Sequence, residues 1–423
     1  MYYKLLKNSF VYISSSIIKN IIPFLLLPVL TRYLTPSDYG IASTFQVLLA
    51  FAVVFVGLNM HGAVAINFFE MDKREFKIYI SNVVFVLLAS FFLNFCVILT
   101  TKKYLFHLLK FPENWLPIII GVALFQSVFM LTLTLWQVEQ KPLLHGIFQI
   151  LQTVLNITLS LVFVVALGWR WQGRLLGITI ASIALGLISF LILYKRKYIE
   201  LSFNKAYIKD ALLFGIPLIP HALGGWIITS IDRIFINSMV GVTATGIYTV
   251  GYQVGMIIGL LASSFNQAWS PFLFEKLKED NPHTKTKIVK FTYLYFFAII
   301  FLALVLSFIA PWFFKFFVGE DFYCAYKYVL WIALGYAANG MYFMVVNYIF
   351  YVKKTYILSW ITFVSAGINT ILNYFLIKAN GAIGAAQATT ISFFLSFILT
   401  WILSAKVYKM PWITWKKSKE QSI

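Results

Sequence analysis

Charge is what this sequence has least of. Only 12% of its 423 residues are Asp, Glu, Lys or Arg, while 61% are hydrophobic. A water-soluble chain of this length cannot hide that much apolar surface in a core and still keep a solvated exterior. The bilayer must be its main solvent. Acidic residues are scarcer still, 15 against 34 basic, and they lie mostly in loops. There are two cysteines, Cys96 inside an apolar stretch and Cys324 in a loop, and their placement gives no reason to pair them. The sequence has no nucleotide-binding glycine loop followed by Lys and Ser or Thr, no Cys/His cluster at metal spacing and no nucleophile elbow. The expectation is a protein that is not an enzyme and carries no cofactor or metal.

Long apolar stretches are what the sequence does have. Crossing about 30 Å of hydrocarbon as a helix takes roughly 20 residues. Twelve stretches qualify, near 8–33, 38–68, 78–101, 115–138, 143–168, 174–194, 211–240, 244–270, 288–318, 325–351, 355–377 and 382–408. They are too long and too continuously apolar for the alternating strands of an outer-membrane barrel. The first follows Lys4 and Lys7, exceeds a signal-peptide core and ends in no cleavage pattern, so it is read as a retained helix.

The basic residues are distributed unevenly. Twenty-three fall in alternate connecting segments that include both termini, and nine fall in the opposite set, among them Arg32, Lys102, Lys103, Lys110, Arg170 and Arg174. Lys and Arg orient membrane proteins toward the cytoplasm, so both termini are expected there. The basic excess then reflects topology and attraction to anionic membrane lipid, not nucleic-acid binding.

The chain also repeats itself. Gln152-Thr153-Val154-Leu155-Asn156 on the fifth stretch recurs 217 residues later as Asn369-Thr370-Ile371-Leu372-Asn373 on the eleventh. Gly173 and Gly177 follow the first copy, Gly381 and Gly384 the second. Near the start of each half a proline-interrupted stretch (Pro23 and Pro28; Pro217 and Pro220) runs to an arginine, Arg32 or Arg233. Six stretches per half is an even number, so the halves enter the membrane in the same sense. The predicted fold is all-α integral membrane, with about twelve transmembrane helices in two six-helix lobes. A pseudo-two-fold axis along the membrane normal relates the lobes, which flank a central cleft. The lobes are 1–195 and 210–408, with a cytoplasmic linker at 196–209 and a tail at 409–423.

Ionisable groups at membrane depth cost about 2.5–3.5 kcal/mol on insertion scales and are functional candidates by default. Lys19 lies deep in the first stretch, on one face with Tyr12, Ser16 and Pro23. The seventh stretch places Asp210, Pro217, His221, Gly225 and Asp232 on one face, and aligning Arg32 with Arg233 sets Asn20 opposite His221. The candidate substrate-binding residues are Lys19, Asn20, Arg32, Gln152, Asn156, His221, Arg233, Asn369 and Asn373. Asp232, His221 and Glu139 are the candidates for taking up a coupling proton. Asn156 and Asn373 also fit a role as hydrogen-bond glue between helices, and Asp232 with Arg233 fits an ion pair at a helix end. Gly251, Gly255 and Gly259 form a stripe for close helix approach. Trp115, Trp169, Trp312 and Trp412 sit where interfacial belts occur.

At the end of the first stretch stands Arg32-Tyr33-Leu34-Thr35-Pro36-Ser37-Asp38-Tyr39-Gly40. Thr35 is placed to cap the next helix, with Pro36 at its first position and Asp38 completing a box-like cap. The segment resembles the signature of the polysaccharide transporter family, Wzx-type flippases within the multidrug/oligosaccharidyl-lipid/polysaccharide flippase superfamily. Leu6-Lys7-Asn8-Ser9 and the Asn-rich helix followed by Gly-x-x-Gly are similar to the same family. The resemblance implies translocation of undecaprenyl-diphosphate-linked oligosaccharide across a bacterial inner membrane by alternating access. It also implies an ion-coupled cycle and work alongside a polysaccharide polymerase and chain-length proteins. Lys19, Arg32 and Arg233 would then attract the diphosphate. A multidrug antiporter of the related branch and a membrane polysaccharide polymerase or ligase are the rival readings. The longest predicted external loop, Lys102 to Asn114, is too small to build a polymerase site.

Overall fold

The computed structural model describes residues 24, 26–199, 202–352, 354 and 356–412. Lys19, Asn20 and most of the first predicted stretch lie outside the described residues. Eleven helical spans among the described residues are long and apolar enough to cross a membrane, one for each of the other eleven predicted stretches. No strand occurs among them.

The helices are α1 (Leu27–Tyr33), α2 (Pro36–Gly57), α3 (Met60–Glu70), α4 (Lys73–Leu109), α5 (Leu116–Val138), α6 (Pro142–Leu161), α7 (Arg170–Lys195) and α8 (Lys205–Gly215). They continue as α9 (Ile219–Met239), α10 (Val242–Gly255), α11 (Ile257–Lys278), α12 (Pro282–Phe317), α13 (Tyr326–Tyr351), α14 (Tyr356–Asn380) and α15 (Ala382–Val407). Local chemistry sets their ends. Pro36, Pro117 and Pro142 sit in first turns, where a missing N–H costs nothing. Asp72 caps α4 by accepting from the N–H of Arg74 and Glu75, both at 2.8 Å. At 37 residues, α4 is roughly 55 Å long, so it outreaches the hydrocarbon and shortens the predicted loop after Lys102 to a few residues around Pro112.

Three spans are broken. The second predicted stretch divides into α2 and α3 at Leu58 and Asn59, both left-handed (φ 46° and 53°). The seventh divides into α8 and α9 through a tight turn at Ile216–Leu218 that contains Pro217. The eighth divides at Met256. Breaks inside a membrane need protein or water to satisfy the freed backbone; the first has a ready donor nearby, for Ser90 gives its hydroxyl hydrogen to the Phe55 carbonyl at 2.8 Å.

The chain packs as two compact units. One holds residues 1–226, 233–249 and 318–322, the other 227–232, 250–317 and 323–423. In the first, one apolar cluster joins α3, α4, α5 and α8 around Tyr79, Ile80 and Leu87. A second joins α2, α5 and the start of α7 around Phe45, Val56 and Leu175. In the second unit the main cluster gathers α11, α12, α13 and α15 around Ala262, Ala303, Ala337 and Val345. The predicted glycine stripe packs there: a Cβ on Gly251, Gly255 or Gly259 would collide with Ala325, Ile332 and Tyr336 respectively, one contact after another along α13. Large apolar residues such as Leu93, Phe297 and Phe308 stay uncovered by protein, as lipid-facing positions should.

Candidate functional site

The nonapeptide from Arg32 to Gly40 builds a joint. Thr35 Oγ1 accepts from the Asp38 N–H at 3.2 Å, and Asp38 Oδ2 accepts from the Thr35 N–H at 3.0 Å, a reciprocal cap at the start of α2. The cap fixes Gly40 against the opening turn of α10. A side chain at Gly40 would strike the Val242 carbonyl, and one at Gly246 would strike the Pro36 carbonyl. One turn further along, Ser43 Oγ and Thr249 Oγ1 meet at 2.8 Å. Tyr39 packs edge-on to Phe322 at 5.6 Å, and Thr31 Oγ1 accepts from the Gly319 N–H at 3.1 Å. Alongside, Asn237 donates to the Leu109 carbonyl and Lys110 Nζ to the Ser238 carbonyl. All these residues belong to the first compact unit. Small residues and single hydrogen bonds thus join segments that lie between 128 and 288 residues apart in the sequence.

The predicted site residues fall into separate settings. Arg32 is exposed, Arg233 and Asp232 are buried, and His221 is exposed. The turn at Ile216–Leu218 breaks helical phase between Asp210 and the residues after it. Asp210 instead accepts hydrogen bonds from Tyr79 at 2.9 Å and Asn67 at 3.2 Å, tying α8 to α3 and α4. Gln152 is half-buried on α6.

Asn369 and Asn373 are wholly enclosed. Asn373 Nδ2 donates to Asn369 Oδ1 at 3.0 Å, and Asn369 Nδ2 to Ser392 Oγ at 3.1 Å. The second copy of the repeat therefore ties α14 to α15, and no sugar reaches it in this conformation. The first copy differs. Asn156 Oδ1 accepts from Arg174 Nη1 at 2.8 Å, and Ser160 Oγ accepts from the same nitrogen at 2.6 Å. The glycines do the packing in both copies: Gly177 leaves room for Ser160, and Gly384 for the Leu376 carbonyl.

Glu139 sits between α5 and α6, with its side chain only 14% exposed. Arg196 Nη1 donates to both of its oxygens at 2.9 Å, and Lys141 Nζ lies 2.7 Å from Oε2. Burial alone would push this carboxyl up, but the hydrogen bonds from Lys141 and Arg196 outweigh it and hold the group below its ordinary value. Glu139 is therefore ionised at neutral pH.

Two features escaped the sequence reading. One is the break at Leu58 and Asn59, where the Gly215 Cα faces the Leu58 carbonyl so closely that no side chain fits and Asn59 Nδ2 is buried without an acceptor among the described residues. No proline marks it; only the αL tolerance of Asn59 hints at it. The other is Arg174, which counts as a loop cation by position but folds back along α6.

These helices define a class. At least eleven helices long and apolar enough to span a membrane, packed through small-residue joints, make this a polytopic all-α membrane protein. Comparison with known proteins gives the family. The model of the family described as polysaccharide biosynthesis protein matches residues 5–277, and that of the MatE family residues 217–375. The chain belongs to the polysaccharide biosynthesis protein family.

Relatives include an uncharacterised membrane protein of Haemophilus influenzae, 27% identical over 83% of this chain and 85% of that one. The capsular polysaccharide biosynthesis protein CapF of Staphylococcus aureus is 25% identical over 65% of this chain and 67% of its own. Among solved structures, the lipid II flippase MurJ in an inward closed conformation superposes with a TM-score of 0.77 at 15% identity, covering 94% of this chain and 87% of that chain. An inward-facing multidrug transporter of the MATE family superposes with a TM-score of 0.66 at 16% identity, covering 94% and 97%. The fold is the two-lobed helical transporter fold predicted from the repeat.

Proposed function

We propose that this protein moves undecaprenyl-diphosphate-linked oligosaccharide, an O-antigen or similar repeat unit, from the cytoplasmic to the outer leaflet of a bacterial inner membrane by alternating access. Both termini face the cytoplasm in this reading, and the Gly40–Gly246 joint lies at the outer side. That joint is the observation that carries it. Two glycines meet opposing carbonyls, and a lone hydroxyl pair holds the next turn. Such a contact separates without baring a large apolar surface, which suits an element with two packings. The family-like nonapeptide supplies one side of it.

Lys19, Asn20, Arg32, Gln152, Asn156, Arg233 and His221 remain the proposed contacts to substrate. Asp232, buried inside a span, and His221 are the proposed coupling groups. Glu139, ionised in its ion pair, serves the cytoplasmic end of the first unit, and Asn369 with Asn373 serves packing. The lobes 1–195 and 210–408, joined by 196–209, stay as the proposed moving parts, and a polysaccharide polymerase with chain-length proteins as the proposed partners. The multidrug reading finds support in the MatE match, but an organic cation is ill served by Arg174, whose hydrogen-bond partners among the described residues are neutral oxygens.

The test is leaflet exposure of a labelled undecaprenyl-diphosphate oligosaccharide in proteoliposomes, with and without a pH gradient. Protein-dependent exposure is expected, accelerated by the gradient. Asp232→Asn should remove that acceleration while slow equilibration persists. Gradient-independent rates in the unaltered protein would overturn the coupling, and export of organic cations in place of the lipid would favour the multidrug reading.

A further inference from the structure

Arg174 carries a charge that no carboxylate among the described residues neutralises. Its Nη1 is fully used, donating to Asn156 Oδ1 at 2.8 Å and Ser160 Oγ at 2.6 Å, while Ser160 in turn donates to Asn156 Oδ1 at 3.3 Å. These partners are neutral. They orient the guanidinium; the Tyr39 phenol is its further electrostatic neighbour, and no hydrogen-bond acceptor among the described residues meets Nε or Nη2. Its partners Asn156 and Ser160 lie ten and six residues before Ala166, where their span ends, so at 1.5 Å per residue the guanidinium sits roughly 9–15 Å inside that end. A cation fixed at that depth with neutral partners alone is costly.

The internal repeat shows that packing does not require it. The equivalent asparagine of the second copy, Asn373, is closed by Asn369, which bonds to Ser392, and no cation takes part. Both copies bring their helices together through glycines. What the first copy adds is a positioned guanidinium whose Nε and Nη2 meet no hydrogen-bond acceptor among the described residues, and that paired edge is the geometry that suits a phosphate group.

We propose that Arg174, held by Asn156 and Ser160, is a binding site for the diphosphate of the lipid-linked substrate, with Nε and Nη2 donating to its oxygens. The assignment rests on the flippase reading. It names a residue of α7 that neither the interrupted helices nor the nonapeptide motif supplies.

The test uses the full chain in nanodiscs of neutral lipid, with undecaprenyl diphosphate as probe and undecaprenol as the control lacking phosphate. The unaltered protein should bind the diphosphate at least tenfold more tightly than the alcohol. Arg174→Gln should abolish that preference. Asn156→Asp keeps the arginine and sets a carboxylate against it. That variant should raise the thermal midpoint without lipid, weaken undecaprenyl diphosphate at least tenfold and leave undecaprenol unchanged. If Asn156→Asp binds the diphosphate like the unaltered protein, the assignment is wrong. Full competition by a tenfold excess of phosphatidylglycerol would give the site to bulk anionic lipid and also overturn it. Translocation by the unaltered protein alongside unchanged binding in Asn156→Asp would leave the flippase standing and remove only Arg174.

Discussion

Ser43 Oγ and Thr249 Oγ1 lie 2.8 Å apart in a buried contact between residues 206 positions apart in the chain. Thr249 spends its own hydrogen on the Thr245 carbonyl at 2.7 Å, so Ser43 is the donor. One neutral hydrogen bond contributes about 1 kcal/mol, little enough for the contact to be made and broken in a working cycle.

A Ser43→Cys/Thr249→Cys pair, in a background with Cys96 and Cys324 replaced by Ser, should form a disulfide under mild oxidation, since the two positions are within reach of one. Translocation should fall at least tenfold on oxidation and return on reduction. Quantitative cross-linking with undiminished translocation would show that this contact does not open.

Gly40→Val meets a backbone carbonyl, that of Val242, which has no rotamer to yield. The expected result is normal membrane insertion, at least tenfold slower translocation and loss of the Ser43→Cys/Thr249→Cys cross-link. Retention of the cross-link at its original rate would contradict the close approach.

Glu139→Gln should destabilise the protein by about 2 kcal/mol, the scale of hydrogen bonds to a charged group. Because the folded carboxyl lies below its ordinary value, its contribution is complete above the unfolded value and is lost as pH falls through the folded one. Thermal midpoints of the two proteins should therefore differ at neutral pH and converge in acid. The pH dependence of translocation near neutrality should be the same in both, since the group stays ionised there.

Asn373→Leu removes a partner of Asn369 inside a closed network. A loss of about 1 kcal/mol in stability is expected, typical of polar contacts between membrane helices, with translocation per folded molecule unchanged. A large loss of translocation in a fully folded variant would return Asn373 to the substrate path.

The spans were legible because hydropathy dictates them: eleven of the twelve predicted stretches recur as helices, and the twelfth falls largely outside the described residues. The Thr35–Asp38 cap was readable because it is local. What it is for was not, since Val242, Gly246 and Thr249 stand two hundred residues away and only folding brings them to Gly40 and Ser43. The break at Leu58 carries no proline, so a continuous apolar run concealed it. Arg174 looked like a loop cation because sequence position records where a helix starts, not the direction in which a long side chain lies.

The most direct measurement is reconstituted translocation of labelled undecaprenyl-diphosphate oligosaccharide, read with an impermeant sugar-modifying reagent. Exposure that requires the protein and is arrested by the oxidised Ser43→Cys/Thr249→Cys pair is the predicted result. Exposure at the protein-free rate, or elongation of the oligosaccharide in the same vesicles, would contradict it.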